Sequence, residues 1–548
     1  MVSGPGTLGK QQFLSKGVGL VKKWIVGVLL AILVLAGVAG IFLKGTVTDQ
    51  VLATESIHVM VEMPRLVSLS FEKDAVREVE NTKEITYTYS VQRFGKRIGT
   101  YELTERTLGN GSKFLFERLK NDGRMGLSLK TSYHFNAASD VSVTSWNPRK
   151  VDHPHHDTFG TDPTVNPFGK LTIENNAFQE AVVGYSFTSK ELVKTYDVGE
   201  SRIRELDKEV QDVTVIDDGF IRSASAGGHQ IAESWVLLAE APLFESQDEE
   251  YDYIDFALEN QFSQLNWMTM DGPYTKLPFS IDPGTKMGYG RVIGRMEDDV
   301  ALEWYGKSES LFFETMVLNS RVNLLNYLEE FGGTRWPTEY TSAWLNNAYG
   351  IKAPYVDTRY NEYVAFFLDD TEKKFDDEVD ESKQYVPVYA DYLLSRIEKG
   401  ETIEAGDGFM IVDYFDEDPE TAIPHASLNH ELGGLKILLT AYRETEDAKY
   451  LGAAKSVMKG IEAFGADQGG WIRENGDLWY QARPDGTFSG DDYPQLTLVD
   501  LVETQSLLEE MGMARNAFFD ELIDAKIGFL KDQGEELIEK VTKHLKQG

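Results

Sequence analysis

The sequence predicts a multidomain β + α chain: an N-terminal transmembrane helix, an antiparallel β-rich region and a C-terminal incomplete (α/α) toroid. Three observations lead there. Residues 24–43 are uncharged and mostly aliphatic. Apolar residues then alternate with period two from Ser56 to Phe135, strand-like segments resume between Ala181 and Leu238, and beyond Lys307 the period becomes helical.

At the helical rise, residues 24–43 span about 30 Å, one hydrocarbon core. Lys10, Lys16, Lys22 and Lys23 precede this run and only Lys44 follows closely. Positive charge stays on the cytoplasmic side, so the bulk of the chain is expected outside a cell membrane that it crosses once. Gly37-Val38-Ala39 resembles a signal-peptidase site, and cleavage there would make the protein secreted. The apolar run continues past it, which favours an uncleaved anchor.

The β region begins with Ile85, Tyr87, Tyr89 and Val91 alternating with Thr86, Thr88, Ser90 and Gln92, as a half-buried strand requires. Turn residues follow at Phe94-Gly95, Gly109-Asn110-Gly111 and Asn121-Asp122-Gly123, which reads as an antiparallel meander. Strand patterns return at 181–187, 213–216, 219–225 and 234–238, with Asp217-Asp218-Gly219 as a hairpin turn.

In the last third, apolar stripes recur at helical spacing. They are Leu318/Val322/Leu325/Leu328/Phe331, Val386/Tyr389/Leu393/Ile397, Leu428/Leu432/Leu435/Tyr442 and Tyr450/Ala454/Val457/Ile461. Two more follow, Leu498/Leu501/Val502/Leu508 and Phe519/Ile523/Ile527/Leu530. Gly332-Gly333, Gly350, Gly400 and Gly512 stand where such helices should stop. Stacked helical hairpins of this kind suggest the toroid. The boundaries are 1–23 for a cytoplasmic segment, 24–43 for the anchor, 44–165 for an antiparallel β domain, 166–307 for a second β-rich region and 308–548 for the toroid.

Composition narrows the function. The 548 residues carry 54 Lys and Arg against 89 Asp and Glu, a formal charge of −35. Nucleic-acid binding rests on neutralising phosphates, so this balance argues against a DNA or RNA partner. The absence of cysteine excludes disulfides, thiolate metal sites and a cysteine nucleophile. No phosphate-cradling glycine loop and no Gly-x-Ser-x-Gly elbow is present.

Residues 424–494 hold the densest set of binding and titratable groups. His425, Asn429 and Gly433 lie four apart on one helix face; His425 and Asn429 read equally well as caps. The following loop carries Trp471, Arg473, Trp479, Tyr480, Arg483, Asp491, Asp492 and Tyr493. Sugar rings stack on Trp and Tyr, and an arginine fork matches a uronate carboxylate. With Arg335, Trp344 and Arg359, this set reads as the wall of a saccharide-sized cleft. Packing of a long loop is the competing reading for each residue alone. His153-Pro154-His155-His156-Asp157 contains metal-ligand types, but Pro154 breaks the regularity a tight site needs. The acidic run Asp413, Asp416, Glu417 and Asp418 lacks the glycine of a helix–loop–helix calcium site and reads as a solvated turn. No metal and no cofactor is therefore assigned.

Leu428-Asn429, Leu432-Gly433-Gly434-Leu435, Ala441-Tyr442-Arg443-Glu444, Tyr480 and Asp492-Tyr493 together resemble the C-terminal α/α domain of the D-glucuronyl C5-epimerases. The order of anchor, β-rich portions and helical domain is similar too. The pattern departs after Tyr493, where Pro494-Gln495-Leu496 stands. The resemblance implies epimerisation at C5 of glucuronate in an acidic polysaccharide, with Tyr493 in the catalytic Asp-Tyr pair and Tyr480 as a second tyrosine. Read from chemistry, Tyr493, Tyr480, His425 and Glu431 are the groups able to move a proton. Arg483, Arg359, Asn429, Asp492, Trp479, Arg335 and Trp344 are the substrate-binding candidates. A lyase or glycoside hydrolase on the same toroid, or a non-catalytic envelope module that binds or assembles glycan, stays open, and so does a homodimer.

Overall fold

The structure, a computed structural model, describes residues 45–138, 140–146, 155–260, 264–375, 384–418 and 420–545. The expected anchor at 24–43 lies outside the described residues. Among those described, no helix is long and apolar enough to cross a membrane.

The N-terminal half is a sandwich of antiparallel sheets. One sheet runs Thr46–Ala53, Ile57–Pro64, Leu127–Phe135, Gly219–Ala226 and Val213–Ile216 in spatial order. The larger sheet contains Gly199–Val210, Ser186–Tyr196, Ile231–Ala239, Lys113–Asn121, Lys96–Thr107, Thr82–Arg93 and Val67–Val79 side by side. The single meander expected from the turns therefore splits. The chain leaves the large sheet at Asn121 and crosses to the smaller one. Asn121 makes that exit: its Nδ2 donates to Met125 O (2.9 Å) and Gly227 O (2.8 Å), while its Oδ1 accepts from Gly123 N (3.0 Å). The turn at Phe94-Gly95 is a two-residue hairpin with both φ angles positive (54° and 75°), the geometry that matches strand twist.

Strand Ile231–Ala239 is buried at every position, because both faces of the large sheet are covered. Val236 and Leu238 face Val59, Tyr133 and Phe220 of the sandwich core. Trp235 and Leu237 belong with Phe114 and Phe116 to a second core, shared with the helices.

The helices are α1 (Gln247–Glu259), α2 (Ile293–Met296), α3 (Asp299–Ser308), α4 (Leu311–Glu330), α5 (Ala343–Tyr349), α6 (Thr358–Phe375), α7 (Tyr385–Glu398), α8 (Leu428–Thr445), α9 (Ala448–Ala463), α10 (Leu496–Glu510), α11 (Ala517–Gln533) and α12 (Glu539–Leu545). Each of the six expected stripes falls on a helix except that Phe331 stands one residue past the end of α4, and Gly350 ends α5 in the left-handed conformation (φ 83°). Helix α1 sits inside the stretch expected to be β-rich; Ser246 caps it by accepting from Glu249 N. Helix α8 packs against each of α6, α7, α9 and α10, and α6 also packs against α7.

Two polar seams join the halves. Arg106, fully buried on its strand, donates to Glu84 (2.8 Å) and to Asn319 and Asn323 of α4 (2.5 and 2.7 Å). Glu80, at a hairpin tip, accepts from both Nε and Nη2 of Arg321 (2.6 Å each) and from Tyr385 Oη (2.7 Å).

A buried ion network ties α6, α8 and α10 together. Arg359 donates to both oxygens of Asp500 (2.9 and 2.8 Å) and to Glu362 (2.7 Å). Lys436 reaches Asp500 (2.9 Å), Glu503 (2.8 Å) and Glu362 (3.1 Å). Gly433 makes room for this: a Cβ there would stand 2.0 Å from Glu362 Oε2. Removing one member strands the rest in a dry interior. Asp500→Ala is therefore expected to cost about 3–5 kcal/mol in chemical denaturation. Glu510→Ala, which breaks the exposed contact with Arg443, should cost under about 1 kcal/mol.

Candidate active site

A cleft of about 990 Å³ opens where the helical half meets the sheet. Its walls are aromatic, with Trp344, Tyr340, Tyr355, Tyr360, Tyr363 and Tyr414. Charged groups among them are Lys276, Arg295, Glu297, Asp299, Asp357, Asp370 and Lys540. Apolar walls with a few polar anchors are the usual form of a small-molecule site.

Asp357 sits just before α6. Its Oδ1 accepts from the backbone N–H of Arg359 (3.0 Å) and Tyr360 (3.1 Å), satisfying donors that a helix start leaves free. Burial pushes the Asp357 carboxyl up, against the opposing effect of His430. Glu297 lies just beyond α2, is pushed well up by burial and by Asp299, and leaves Oε2 without a hydrogen-bond partner among the described residues.

Directly behind Trp344 and Tyr414 lies a polar cluster built on Asp413. Ser427 donates to this fully buried carboxylate through its backbone N–H (2.7 Å) and its hydroxyl. His425 Nε2 stands 3.0 Å from Asp413 Oδ2, and His430 Nε2 stands 3.7 Å from the same oxygen. Burial raises the Asp413 pKa, but His430 and His425 outweigh it and hold the group below the ordinary carboxylate range. On their far sides, His425 Nδ1 meets Tyr349 Oη at 2.9 Å and His430 Nδ1 meets Thr358 Oγ1 at 2.8 Å. His425 Nε2 approaches the carboxylate without the alignment of a hydrogen bond, and the nearby negative charge favours the proton on Nε2, which leaves Nδ1 as the acceptor and Tyr349 as the donor. A proton reaching Tyr349 thus has a relay inward through His425, with Asp413 to stabilise the imidazolium.

The expected site residues divide by location. The Tyr480 ring lies 6.3 Å from His425, and the Tyr493 ring meets Tyr480 edge-on at 5.5 Å. Trp344 touches both Tyr349 (6.0 Å) and His425 (5.7 Å). Arg483 is exposed near Tyr349, where its charge opposes the rise that burial imposes on that phenol. These five residues share one neighbourhood. Asn429 and Arg359 lie beneath it: the Asn429 carbonyl accepts from Arg359 Nη1 (3.1 Å), and the Asn429 Oδ1 is buried without a partner among the described residues.

The other candidates sit apart from this neighbourhood. Strand alternation turns Trp479 away from Tyr480, to stack on Phe488 (6.2 Å) under Arg473 (4.8 Å). Arg335 lies over Tyr392 (5.6 Å). Asp492 is held by Lys526 (2.8 Å) and Thr497 (2.5 Å). Glu431 is fully buried, and burial pushes its carboxyl well up.

The acidic run is also engaged. Asp418 pairs with Lys352 (3.3 Å) and Glu417 with Arg396 (3.1 Å), while Asp413 is the buried centre described above rather than part of a solvated turn. His155 and His156 form a short ladder with Gly160 and Thr161; His153 and Pro154 lie outside the described residues. The sequence reading missed His430, Tyr349 and Asp413 as partners of His425. Asn429-His430-Glu431 offered His430 beside residues already chosen. The pairing across 76 positions from Tyr349 to His425 had no sequence signal.

The chain matches no protein-family model and no curated protein. Among solved structures it is similar to the cellobiose 2-epimerase from Bacillus thermoamylovorans B4167, with 13% identity, a TM-score of 0.37, and coverage of 52% of this chain and 70% of that one. It is also similar to a D-mannose isomerase, with 16% identity, a TM-score of 0.33, and coverage of 53% and 71%. A family 76 glycoside hydrolase from a bovine Bacteroides thetaiotaomicron strain shows 12% identity, a TM-score of 0.35, and coverage of 72% and 78%.

The buried carboxyl of Glu431 has a consequence for stability. Its folded pKa lies above the unfolded value, so above about pH 4.5 the unfolded state ionises first and stability falls as pH rises towards the folded pKa. Glu431→Gln removes that slope, which is about 1.4 kcal/mol per pH unit at its steepest. Denaturation at pH 5 and pH 8 is expected to show the variant gaining on the wild type at the higher pH.

Proposed function

We propose that this chain is a carbohydrate-modifying enzyme on an incomplete (α/α) toroid, and that its cleft moves a proton at a carbon of a sugar ring. One observation carries the reading: two histidines share a single buried carboxylate immediately behind aromatic walls, and one of them has a tyrosine as its outer partner. In this reading Tyr349 takes or gives the proton while His425 Nδ1 takes or gives the phenolic one. Burial raises the Tyr349 and Tyr480 phenols, so neither ionises readily alone, and coupling to the histidine supplies what a free phenolate would. His430, on the other side of Asp413, serves the opposite transfer.

The finer reading is C5 epimerisation of glucuronate residues in a glycan. The C5 proton becomes acidic once the adjoining carboxylate is neutralised, which calls for a cation. Arg295 in the cleft and Arg483 beside Tyr349 fit that role, since neither has an ion pair within 4 Å among the described residues. Tyr493 and Tyr480 would line the sugar path. With residues 24–43 as a tether, the substrate would be a polymer outside the cytoplasm.

A second reading, glycoside hydrolysis, is favoured by one feature: Glu297 and Asp357 line the same cleft and burial pushes both carboxyls up. Incubation with glucuronate-containing polymers in D₂O separates the two. Epimerisation places deuterium at C5, and Tyr349→Phe or His425→Asn should lower that rate by ~10²–10⁴-fold. Release of reducing ends without deuterium at C5 would establish the hydrolase instead.

A further inference from the structure

We infer that a second cavity, on the reverse side of the cleft wall, binds a small hydroxycarboxylate of the uronic-acid class at Arg204. This cavity, about 620 Å³, lies between strand Gly199–Val210 and the C-terminal end of α4, and is lined in part by Arg202, Arg204, Tyr274, Arg291, Glu330 and Glu339. It shares a partition with the cleft. Tyr274, Glu339 and Pro354 face the second cavity, while their chain neighbours Thr275, Tyr340 and Tyr355 face the cleft. Alternate residues of extended segments point to opposite sides, so three stretches of backbone serve two chambers.

Arg204 distinguishes this cavity. It is 6% exposed and its guanidinium lies over the Tyr274 ring at 5.3 Å. Its Nη1 is buried without a hydrogen-bond partner, and the residue makes no ion pair within 4 Å among the described residues. Glu233, whose charge also acts on Arg204, is held by Arg118 through Oε1 and leaves Oε2 without a hydrogen-bond partner among the described residues, while carboxylates lining the cavity are engaged. Arg291 donates to Glu339 (2.9 Å) and Glu330 (3.3 Å), Arg202 pairs with Glu200, and Arg118 pairs with Asp271.

A buried guanidinium nitrogen without a partner costs stability that a ligand carboxylate would recover, and the fork of an arginine suits that group. The engaged carboxylates of the rim disfavour a polyanion and offer acceptors to hydroxyls. A single charge bearing several hydroxyls is the chemistry that fits both. The volume admits a mono- or disaccharide. This assignment stands on the cavity alone and does not rest on the reaction proposed for the cleft.

Isothermal titration of the full chain with free glucuronate tests it, run in an Arg295→Gln, Arg483→Glu background that removes the two cations proposed to meet a carboxylate on the cleft side. One equivalent is expected to bind, and glucose is not. Arg204→Gln should abolish the binding. Arg202→Glu, at a half-exposed position that tolerates change, should weaken it at least tenfold and decides the matter if Arg204→Gln does not fold. No binding in the background protein, unchanged affinity in Arg202→Glu, or equal binding of glucose would each overturn the assignment.

Discussion

The carboxylate of Asp413 is the constraint on which the helical half is arranged. It is fully buried, and water supplies none of its stabilisation, so the protein must. Ser427 gives two hydrogen bonds, and the two histidines add positive or polarised edges. The backbone of the same residue works as hard. Its carbonyl accepts from both the N–H and the hydroxyl of Thr358 (3.0 Å each), and its N–H donates to His425 O (3.0 Å). The starts of α6 and α8 are thereby pinned to one residue. Each helix start carries part of the site: Asp357 and Thr358 on one, Ser427, Asn429 and His430 on the other.

Below this point, the network of Arg359, Glu362, Lys436, Asp500 and Glu503 fixes the same two helices to α10. The two layers do different things. The lower one is nearly balanced in charge and packed tightly enough that Gly433 can carry no side chain. Buried ion pairs of this kind add little net stability compared with apolar packing, but they fix which groups face each other. The upper layer gathers the titratable groups, Asp413, His425, His430 and Tyr349, at hydrogen-bonding or near-contact distances. A rigid lower layer is what lets the histidines hold their distances to one carboxylate, and such preorganisation is the usual source of catalytic advantage.

Helical stripes such as Leu428/Leu432/Leu435 were readable because burial on one face imposes its period on the chain. Hairpin turns at Phe94-Gly95 and Asp217-Asp218 were readable because glycine and aspartate punctuate the alternating apolar runs on either side. The crossing of the chain between sheets after Asn121 was not, since strand alternation is the same in either sheet. Aromatic and arginine content marked one region in the sequence, and the structure brings Tyr480, Tyr493, His425, Trp344 and Arg483 of that set together. Which groups pair was hidden. Arg359 looks free in the sequence, yet Asp500, 141 positions away, takes its fork. Trp479 and Tyr480 are adjacent and chemically alike, and only the strand's direction separates a packing residue from one near His425.

The central claim is that Asp413 sets the tautomer of His425 and so makes Tyr349 the outer end of a proton relay. Long-range ¹H–¹⁵N spectra of the histidine rings, with His425 assigned by comparison with His425→Asn, address this directly. The expected result is a His425 ring with its proton fixed at Nε2, and loss of that fixed position in Asp413→Asn. A ring protonated at Nδ1, or one that averages between tautomers and ignores the Asp413 substitution, would contradict it.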